Sequence, residues 1–325
     1  MKTKLLLLIL LTLGTLLQAK YTNCTFKNKN YSDVCIQAVK SGVSYKYANQ
    51  FLTSYFKTKK YDEVSWKYLQ PNKIKHHQVQ EKKANNALVA YIPQMLQNLK
   101  KYKEVYDYAE KKYGVNREII AAILLKETKL GKIKPSHDAF IVFNTMVVRT
   151  NPNSTREKWL LKMGKTNMAS IISHCFKLSL PPSQCNLASS YAGAVGIPQF
   201  MPNSFIYAKS YKNKIADLSK MEDAIVSAAN FLHQKAGFDT LINWDTMPDI
   251  PAVEAQWYEY DYATKNASFV YETSKNGKVY NCFTKGRSEL KKMKEYAKKV
   301  MRYNNSSNYA LGVMRLAYES HYYLY

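Results

Sequence analysis

Apolar positions at helical spacing predict that most of the chain is helical. Between Tyr45 and Tyr113, apolar residues recur among lysines and tyrosines at intervals typical of helices. After that region, Asn116 is placed to cap a helix from Arg117 to Leu130, and Gly131 is placed to end it. The pattern therefore predicts a well-defined helix near the middle of the chain.

Another helix is predicted further along, where Ser219 and Glu222 have the spacing of a capping box and Gly237 follows the last helical turn. Helical spacing returns from Ser288 to Arg302 and again from about Asn308, with Ser306 and Ser307 available as caps. These segments favour a mainly α-helical fold.

One stretch, from Ala252 to Lys285, differs in composition and is rich in aromatic and β-branched residues. Within it, Ser268–Ser274 and Lys278–Thr284 flank a turn that contains Asn276-Gly277. That arrangement predicts a β-hairpin, so we expect a small β insertion in the helical fold.

The N-terminus has the pattern of a secretory signal peptide. Two lysines precede an uncharged apolar run of thirteen residues, Leu5 to Leu17, and Ala19 offers a cleavage position. The run is shorter than the roughly 20 residues that span a bilayer. Cys24 lacks the small-residue context of a lipoprotein. We therefore predict that residues 1–19 are removed, that the protein is not a lipoprotein, and that it is exported to the periplasm or cell envelope.

The composition adds a strongly basic character. The formal net charge is +24, from 48 lysine and arginine residues against 24 aspartate and glutamate residues. Such an excess attracts anionic partners, and export favours a wall polymer or an anionic membrane surface over nucleic acid, for which no motif is present. A lysine-rich composition without functional meaning explains the excess as well. No protein partner is indicated.

The five cysteines suit an oxidising compartment. Their short spacings make Cys24–Cys35 and Cys175–Cys185 the natural pairs and leave Cys282 over, although spacing alone does not fix connectivity. There is no CxxC or HExxH motif. We therefore expect no metal and no cofactor, and no calcium at residues 210–217, which offer lysines where an oxygen cage needs acids or amides.

Glu127 is the first candidate for chemistry. In the helix that starts at Arg117, it shares a face with Ile120, Ile123 and Leu124. A carboxyl group on an apolar face loses solvent, which raises its pKa and keeps it protonated, as a general acid for a glycosidic bond requires. A last-turn glutamate that reaches solvent is the alternative, and the helix alone does not decide between them.

The second candidate is the stretch from Ser190 to Phe205, in which small residues precede Pro-Gln-Phe-Met-Pro. Small residues allow close approach of backbone and substrate, Gln199 can hydrogen-bond a sugar, and Phe200 or Met201 can offer an apolar face. From composition alone, the stretch could equally be an ordinary glycine- and proline-containing loop.

This stretch closely resembles the signature of the B family of lytic murein transglycosylases, S-x-A-G-A-M-G-x-x-Q-F-M-P-S-S-Y. Three further segments match that family in the same order. They are Tyr113-Gly114-Val115 with Glu127 fourteen residues later, similar to Y-G-V…G-V-E-T; Glu222–Phe231, similar to the following helix; and Arg302–Ala310, similar to R-Y-N-x-S-x-x-Y-A. The resemblance covers about Tyr113 to Ala317.

The resemblance implies a lysozyme-like catalytic domain with an added helical N-terminal domain and a small β-hairpin-containing insertion. The domains expected on this basis are residues 20–110, helical; 111–250, the lysozyme-like core; 251–286, the β insertion; and 287–325, helices that complete the cleft. Glu127 is implied as the catalytic residue. The positions implied to line the saccharide cleft are Ser190, Gln199, Tyr303, Asn304 and Tyr309.

The chain departs from the family pattern in a few places. Phe231 replaces a frequent tyrosine, so a hydroxyl contact there is lost. Asn116-Arg117 replaces Pro-Pro, and Val195 replaces methionine, and both changes look tolerable.

The implied reaction is cleavage of the MurNAc–GlcNAc β-1,4 bond in peptidoglycan glycan strands, with formation of 1,6-anhydroMurNAc and with Glu127 as acid and then base. Two alternatives stay open. A hydrolytic muramidase on the same fold would need a second acid, for which Asp138 and Asp217 are available. A non-catalytic peptidoglycan-binding protein would keep the groove and use Glu127 structurally.

Overall fold

The computed structural model describes residues 23–55, 60–255, 257, 273–275, 278–280 and 288–324, without the side chains of 74–79, 273–280 and 288–290. The predicted signal peptide and Cys282 lie outside the described residues. The chain divides into two compact units. The first takes in the described residues up to Gln70 with Pro135–Val195 and Phe200–Phe205; the second takes in Pro71–Lys134, Gly196–Gln199 and the described residues from Ile206 onwards.

Helices dominate both units, which confirms the predicted mainly α-helical class. In chain order the helices are α1 Lys29–Lys40, α2 Tyr45–Ser54, α3 Glu63–Tyr68, α4 Pro71–Val89, α5 Ile92–Lys101, α6 Lys103–Tyr113, α7 Arg117–Thr128, α8 Ala139–Arg149, α9 Thr155–Lys177, α10 Met221–Ala236, α11 Ser288–Met301 and α12 Ser307–Leu324. The strands are β1 His137–Asp138, β2 Ala188–Ser189, β3 Thr273–Lys275 and β4 Lys278–Tyr280.

The first unit is built around α9, which packs against α8, α1 and α2. Ser154 and Glu157 form a capping box that starts α9 by satisfying backbone N–H groups at its first turn. Phe51, Phe140 and Phe143 are buried in the core between these helices. Their rings supply much of the apolar area that holds the helices together.

Two disulfide bonds, Cys24–Cys35 and Cys175–Cys185, lie in the first unit. Both pairs are the ones that the short spacings favoured, so this prediction is confirmed. Each bond closes a short loop and restricts the unfolded chain.

The second unit is built around α7, which packs against α12, α5, α10 and α6. Every residue from Ile119 to Leu125 is 0% exposed. A helix that is apolar on all sides belongs in the middle of a core. The single apolar face predicted from the sequence therefore understates the burial of α7, because its other face is covered as well.

The helix α7 begins as predicted but ends at Thr128 rather than at Leu130. Lys129 and Leu130 have φ angles of 49° and 56°, so the chain leaves the helix through left-handed residues before it reaches the glycine. Asn116 occupies the N-cap position, but its side chain binds Ile242 instead, accepting from the Ile242 N–H at 2.7 Å and donating to its carbonyl at 3.1 Å.

The predicted capping box of Ser219 and Glu222 does not form. The helix α10 begins at Met221, so Lys220 rather than Ser219 occupies the N-cap position, and no side chain caps the helix. The Ser219 hydroxyl donates to Asp217 at 2.6 Å. Gly237 ends the helix in a left-handed conformation, as predicted.

The β-hairpin is confirmed over the residues that the structure describes. Strands β3 and β4 pair antiparallel, with Lys275 opposite Lys278 across the predicted turn. The remainder of the stretch from Ser268 to Thr284 lies outside the described residues. A second antiparallel pair, β1 with β2, places His137 opposite Ser189 in the first unit.

Among the described helices, none is long and apolar enough to cross a lipid bilayer.

Candidate active site

Glu127 lies in the last turn of α7 and is half-buried. Burial raises the pKa of its carboxyl group from 4.5 to about 7, against the hydrogen bond from Tyr309 and the charge of Lys126, which lower it. The negative charge of Glu81 adds to the increase. A carboxyl group with this pKa is able both to give a proton and to take one back near neutral pH.

Tyr309, in the first turn of α12, is the direct partner of this carboxyl group. Its hydroxyl donates to Glu127 Oε1 at 2.7 Å. Burial, and then the negative charge of Glu127, raise the pKa of Tyr309 well above its ordinary value, so the phenol stays protonated and remains a donor. Its N–H donates to Ser306 Oγ at 3.1 Å, which confirms Ser306 as a cap of α12.

Four residues of the signature stretch, Gly196–Gln199, form a loop that belongs to the second unit. The Ile197 carbonyl accepts a hydrogen bond from the Thr128 hydroxyl at 3.0 Å. The Tyr303 hydroxyl donates to the Pro198 carbonyl. The loop is therefore fixed both to the residue that follows Glu127 and to the segment before α12.

The backbone of this loop requires glycine at its first position. Gly196 has a φ of 76°, and a Cβ there would lie 2.5 Å from Leu218 Cβ. The Ile197 N–H donates to the Leu218 carbonyl at 2.8 Å, which holds the close approach. Gln199 is left-handed, with a φ of 49°, and its Nε2 donates to the Gly196 carbonyl at 2.9 Å. The side-chain amide predicted to bind sugar thus also stabilises the loop.

Tyr303 and Asn304 precede α12. The ring of Tyr303 packs edge-on against Phe231 with centroids 4.9 Å apart, and burial raises the pKa of Tyr303 well above its ordinary value. Phe231 also contacts Tyr207, so the residue that replaces the family's tyrosine has a packing role. Asn304 is exposed, and its carbonyl accepts from the Ser306 N–H at 2.8 Å.

Ser190 and Phe200 belong to the first unit. Ser190 exchanges backbone hydrogen bonds within its own turn, and its Oγ accepts from the Ala194 N–H at 3.2 Å. Phe200 is 2% exposed and pairs with Val195 through two backbone hydrogen bonds. Its ring therefore has no exposed apolar face, whereas Met201 is partly exposed.

Of the residues predicted for the site, the structure brings Glu127 and Tyr309 into direct contact. Tyr303 lies near enough for the charge of Glu127 to act on its pKa. Gln199 and Asn304 belong to the same unit. Gln199 follows Pro198 and Asn304 follows Tyr303, and the Tyr303 hydroxyl donates to the Pro198 carbonyl.

The two candidates for a second acid have structural partners. Asp138 caps α8 by accepting from the N–H groups of Phe140 and Ile141, and it also accepts from the Tyr55 hydroxyl. Asp217 is exposed and accepts from both the N–H and the hydroxyl of Ser219.

The sequence did not predict a role for three residues, Lys126, Glu81 and Asn85. The Nζ of Lys126 donates to Asn85 Oδ1 and lies 3.7 Å from Glu81 Oε1. The available signal for Lys126 was a lysine directly after the apolar run Ile119–Leu125. Glu81 and Asn85 belong to α4, upstream of the region that the family resemblance covers.

The described residues contain no group of three or more His, Cys, Asp or Glu side chains placed to hold a metal ion. At residues 210–217, the carboxylate of Asp223 accepts hydrogen bonds from the Ser210 hydroxyl and from the N–H groups of Tyr211 and Asp217. That carboxylate therefore organises the segment. The absence of calcium stays a prediction.

Comparison with known proteins agrees with this architecture. Residues 27–318 match the family described as "Transglycosylase SLT domain". No curated protein matches the chain. Among solved structures, the Escherichia coli lytic transglycosylase Slt35 in complex with bulgecin A is 18% identical over 91% of this chain and 94% of its own, with a TM-score of 0.58.

Two structures from Pseudomonas aeruginosa are also similar. The soluble lytic transglycosylase SltB1 is 19% identical over 91% of this chain and 99% of its own, with a TM-score of 0.54. SltB3 in complex with NAG-anhNAM-pentapeptide is 17% identical over 88% of this chain and 77% of its own, with a TM-score of 0.53.

At these identities the structural likeness shows a shared fold, which confirms the predicted lysozyme-like class. The family match spans most of the chain, including Glu127, the Gly196–Gln199 loop and Tyr309. The protein therefore belongs to the transglycosylase SLT domain family and is a lytic transglycosylase, the enzyme class that its four sequence motifs predicted.

Proposed function

We propose that the protein cleaves the β-1,4 bond between N-acetylmuramic acid and N-acetylglucosamine in peptidoglycan and leaves a 1,6-anhydro ring on the muramic acid. The observation that carries this proposal is the state of Glu127. Its pKa of about 7 allows both protonation states near neutral pH, and the protonated Tyr309 hydroxyl holds one of its oxygens.

Glu127 acts twice in the proposed reaction. As an acid, it gives its proton to the glycosidic oxygen while the bond from C1 to that oxygen breaks. As a base, the resulting carboxylate takes the proton of the muramyl C6 hydroxyl, whose oxygen then bonds to C1. The carboxyl group ends protonated, as it began, and no water is consumed.

A single carboxyl group suffices because the nucleophile belongs to the substrate, whereas most glycoside hydrolases use two carboxyl groups. The structural partners of Asp138 and Asp217 support this reading over a hydrolytic one.

We propose that Gln199, Tyr303, Asn304 and Tyr309, all in the second unit, contribute to binding of the glycan strand. The role of Ser190 stays a prediction from the sequence. Burial removes Phe200 from this set. The similar SltB3 structure, which holds NAG-anhNAM-pentapeptide, supports a ligand of this kind.

Export to the periplasm or cell envelope is part of the same proposal. It rests on the pattern of residues 1–19 and agrees with two disulfide bonds in the described residues. The bond from Cys24 to Cys35 also supports the absence of a lipid anchor, because the Cys24 sulfur is already used.

Digestion of purified sacculi tests the proposal. The native protein should release muropeptides that end in 1,6-anhydromuramic acid, lighter by one water than reducing ends in a mass spectrum. Glu127→Gln should lower the release by at least ~10²–10⁴-fold, because the transferable proton is lost. Glu118→Gln is the matched control, since it alters a buried carboxyl group at the other end of α7 that contacts His321.

Each outcome has one meaning. Reducing ends as the main product would indicate a hydrolase. Sacculus binding without any release by the native protein would indicate a binding protein. Near-native release by Glu127→Gln would show that the catalytic assignment is wrong.

A further inference from the structure

Lys126 is a buried cation directly beside Glu127 in the chain. Its side chain is only 7% exposed, and it follows the apolar turns of α7. Burial lowers the pKa of Lys126, and the negative charges of Glu81, Glu127 and Glu254 oppose that effect. A buried ammonium group is costly unless it is paired and hydrogen-bonded, so its partners deserve a functional explanation.

Glu81 uses its two carboxylate oxygens on different partners. Oε1 lies 3.7 Å from Lys126 Nζ, and Oε2 accepts from the Ser306 hydroxyl at 2.6 Å. The same Ser306 oxygen accepts the Tyr309 N–H. Glu81 therefore joins the buried lysine to the cap that fixes the first turn of α12.

Lys126 also contacts Tyr309 from the other side. Its Nζ lies 5.0 Å from the centre of the Tyr309 ring, within the range of a cation–π interaction. Asn85, which accepts from Lys126, comes so close to α12 that a Cβ on Gly312 would lie 2.4 Å from Asn85 Oδ1. The lysine is thus enclosed between α4 and α12 with little room to move.

These contacts form a closed ring of interacting residues. It runs from Glu127 to the Tyr309 hydroxyl, from the Tyr309 N–H to Ser306, from Ser306 to Glu81, and from Glu81 to Lys126, which is bonded to Glu127 through the chain. Every member is in the second unit. A shift of any member is therefore passed to the donor that holds Glu127.

We propose that Lys126 and Glu81 are positioning residues, which hold Tyr309 against Glu127 and balance the charge at that carboxyl group. This inference rests on the proposed role of Glu127. The charged and titratable groups that act on Glu127 are Lys126 from α7, Glu81 from α4, and Tyr309 from α12, with Tyr303 close by.

The two positioning residues act on Glu127 with opposite signs. Lys126 lowers its pKa, and Glu81 raises it. A third charge, Glu254, acts on Lys126 and is itself paired with Arg315 at 2.8 Å. Removal of Lys126 leaves the effect of Glu81 on the pKa of Glu127 without its opposite, removal of Glu81 does the reverse, and removal of both takes away the two opposing effects.

A double-mutant cycle on the full mature protein tests the inference. The variants are Lys126→Met, Glu81→Gln and the two together, each of similar size to the native residue. Glu81→Gln keeps an oxygen for the Ser306 hydroxyl. Lys126→Arg keeps the charge, and Lys132→Met removes an exposed lysine nearby as a matched control.

The readouts are the pH profile of muropeptide release and a ¹³C NMR titration of the Glu127 carboxyl group, assigned by its loss in Glu127→Gln. Lys126→Met should move the alkaline limb and the Glu127 titration to higher pH by roughly one pH unit, and Glu81→Gln should move both to lower pH by a similar amount. The double variant should return towards the native profile. Lys126→Arg and Lys132→Met should keep that profile.

A purely structural role would lower the folded fraction without moving the two profiles in opposite directions. Unchanged profiles in Lys126→Met and Glu81→Gln, or shifts of the same sign, would overturn the inference while loss of turnover in Glu127→Gln still supported the proposed function. If Lys126→Met does not fold, the Glu81→Gln shift against the Lys126→Arg profile decides the question. Retained turnover in Glu127→Gln would instead reject the catalytic role of Glu127, and the NMR titration would still report on the charge balance.

Discussion

The raised pKa of Glu127 predicts that this carboxyl group makes the folded protein less stable as the pH increases. Below the unfolded pKa of 4.5, the group is protonated in both states and burial carries no ionic cost. Between 4.5 and about 7, the folded state keeps the proton that the unfolded state has lost, so the free energy of unfolding falls with rising pH. Above about 7, the full cost is present.

The size of the effect follows from the same values. A carboxyl pKa raised from 4.5 to about 7 corresponds to about 3 kcal/mol, at about 1.4 kcal/mol for each pH unit. Because Glu127 keeps some exposure to solvent, we expect about 2 kcal/mol in practice. Glu127→Gln removes the ionisation but keeps an oxygen that can accept from Tyr309. It should therefore be more stable than the native protein at pH 8 by that amount and about equally stable at pH 4.

Urea unfolding followed by circular dichroism measures this difference across the pH range and requires no substrate. A difference between Glu127→Gln and the native protein that is flat with pH, or that falls as the pH rises, would contradict the burial of this carboxyl group.

Three further predictions concern other features. Gly196→Ala should cost about 2–4 kcal/mol in urea unfolding, because the new methyl group lies 2.5 Å from its nearest neighbour at a positive φ, whereas Gly42→Ala, which meets nothing within 4 Å, should cost about 1 kcal/mol. Cys175→Ser with Cys185→Ser should lose about 2–3 kcal/mol, and alkylation of both native thiols without reductant in an intact-mass measurement would contradict the bond. Chelator should leave the melting temperature unchanged, and a decrease that calcium restores would show a site at residues 210–217 or elsewhere.

The sequence supported the class of fold and the central helix because both depend on local patterns. Asn116 and the apolar run after it located α7, and the turn at Asn276-Gly277 located a hairpin. The end of α7 was harder to predict, because Lys129 and Leu130 adopt left-handed conformations, which residues other than glycine rarely take. Ser219 does not cap α10 because that helix begins one residue later than predicted, with Lys220 at the N-cap position.

The residues of the site also fall into two groups, those that the sequence predicts and those that it does not. Glu127, Gln199, Tyr303 and Tyr309 carry motifs that can be read along the chain. The partnership of Lys126 with Glu81 joins residues from different helices, and nothing in the local pattern around Glu81 marks it as buried against a lysine. The burial of Phe200 could not be predicted either, because the order of apolar and polar residues in a short loop does not indicate which side chains face the core.

The ion pair between Lys126 and Glu81 also limits the order in which changes at the two positions can accumulate during evolution. A neutral residue at 126 leaves Glu81 with its hydrogen bond from Ser306, so the acid keeps a partner. If Glu81 is lost first, the lysine remains beside Asn85 and Glu127. Its positive charge then lowers the pKa of the Glu127 carboxyl group, which must donate a proton. We therefore expect variants that lose the lysine alone to keep more turnover than variants that lose the acid alone, and a mutational library of the two positions to show strong epistasis.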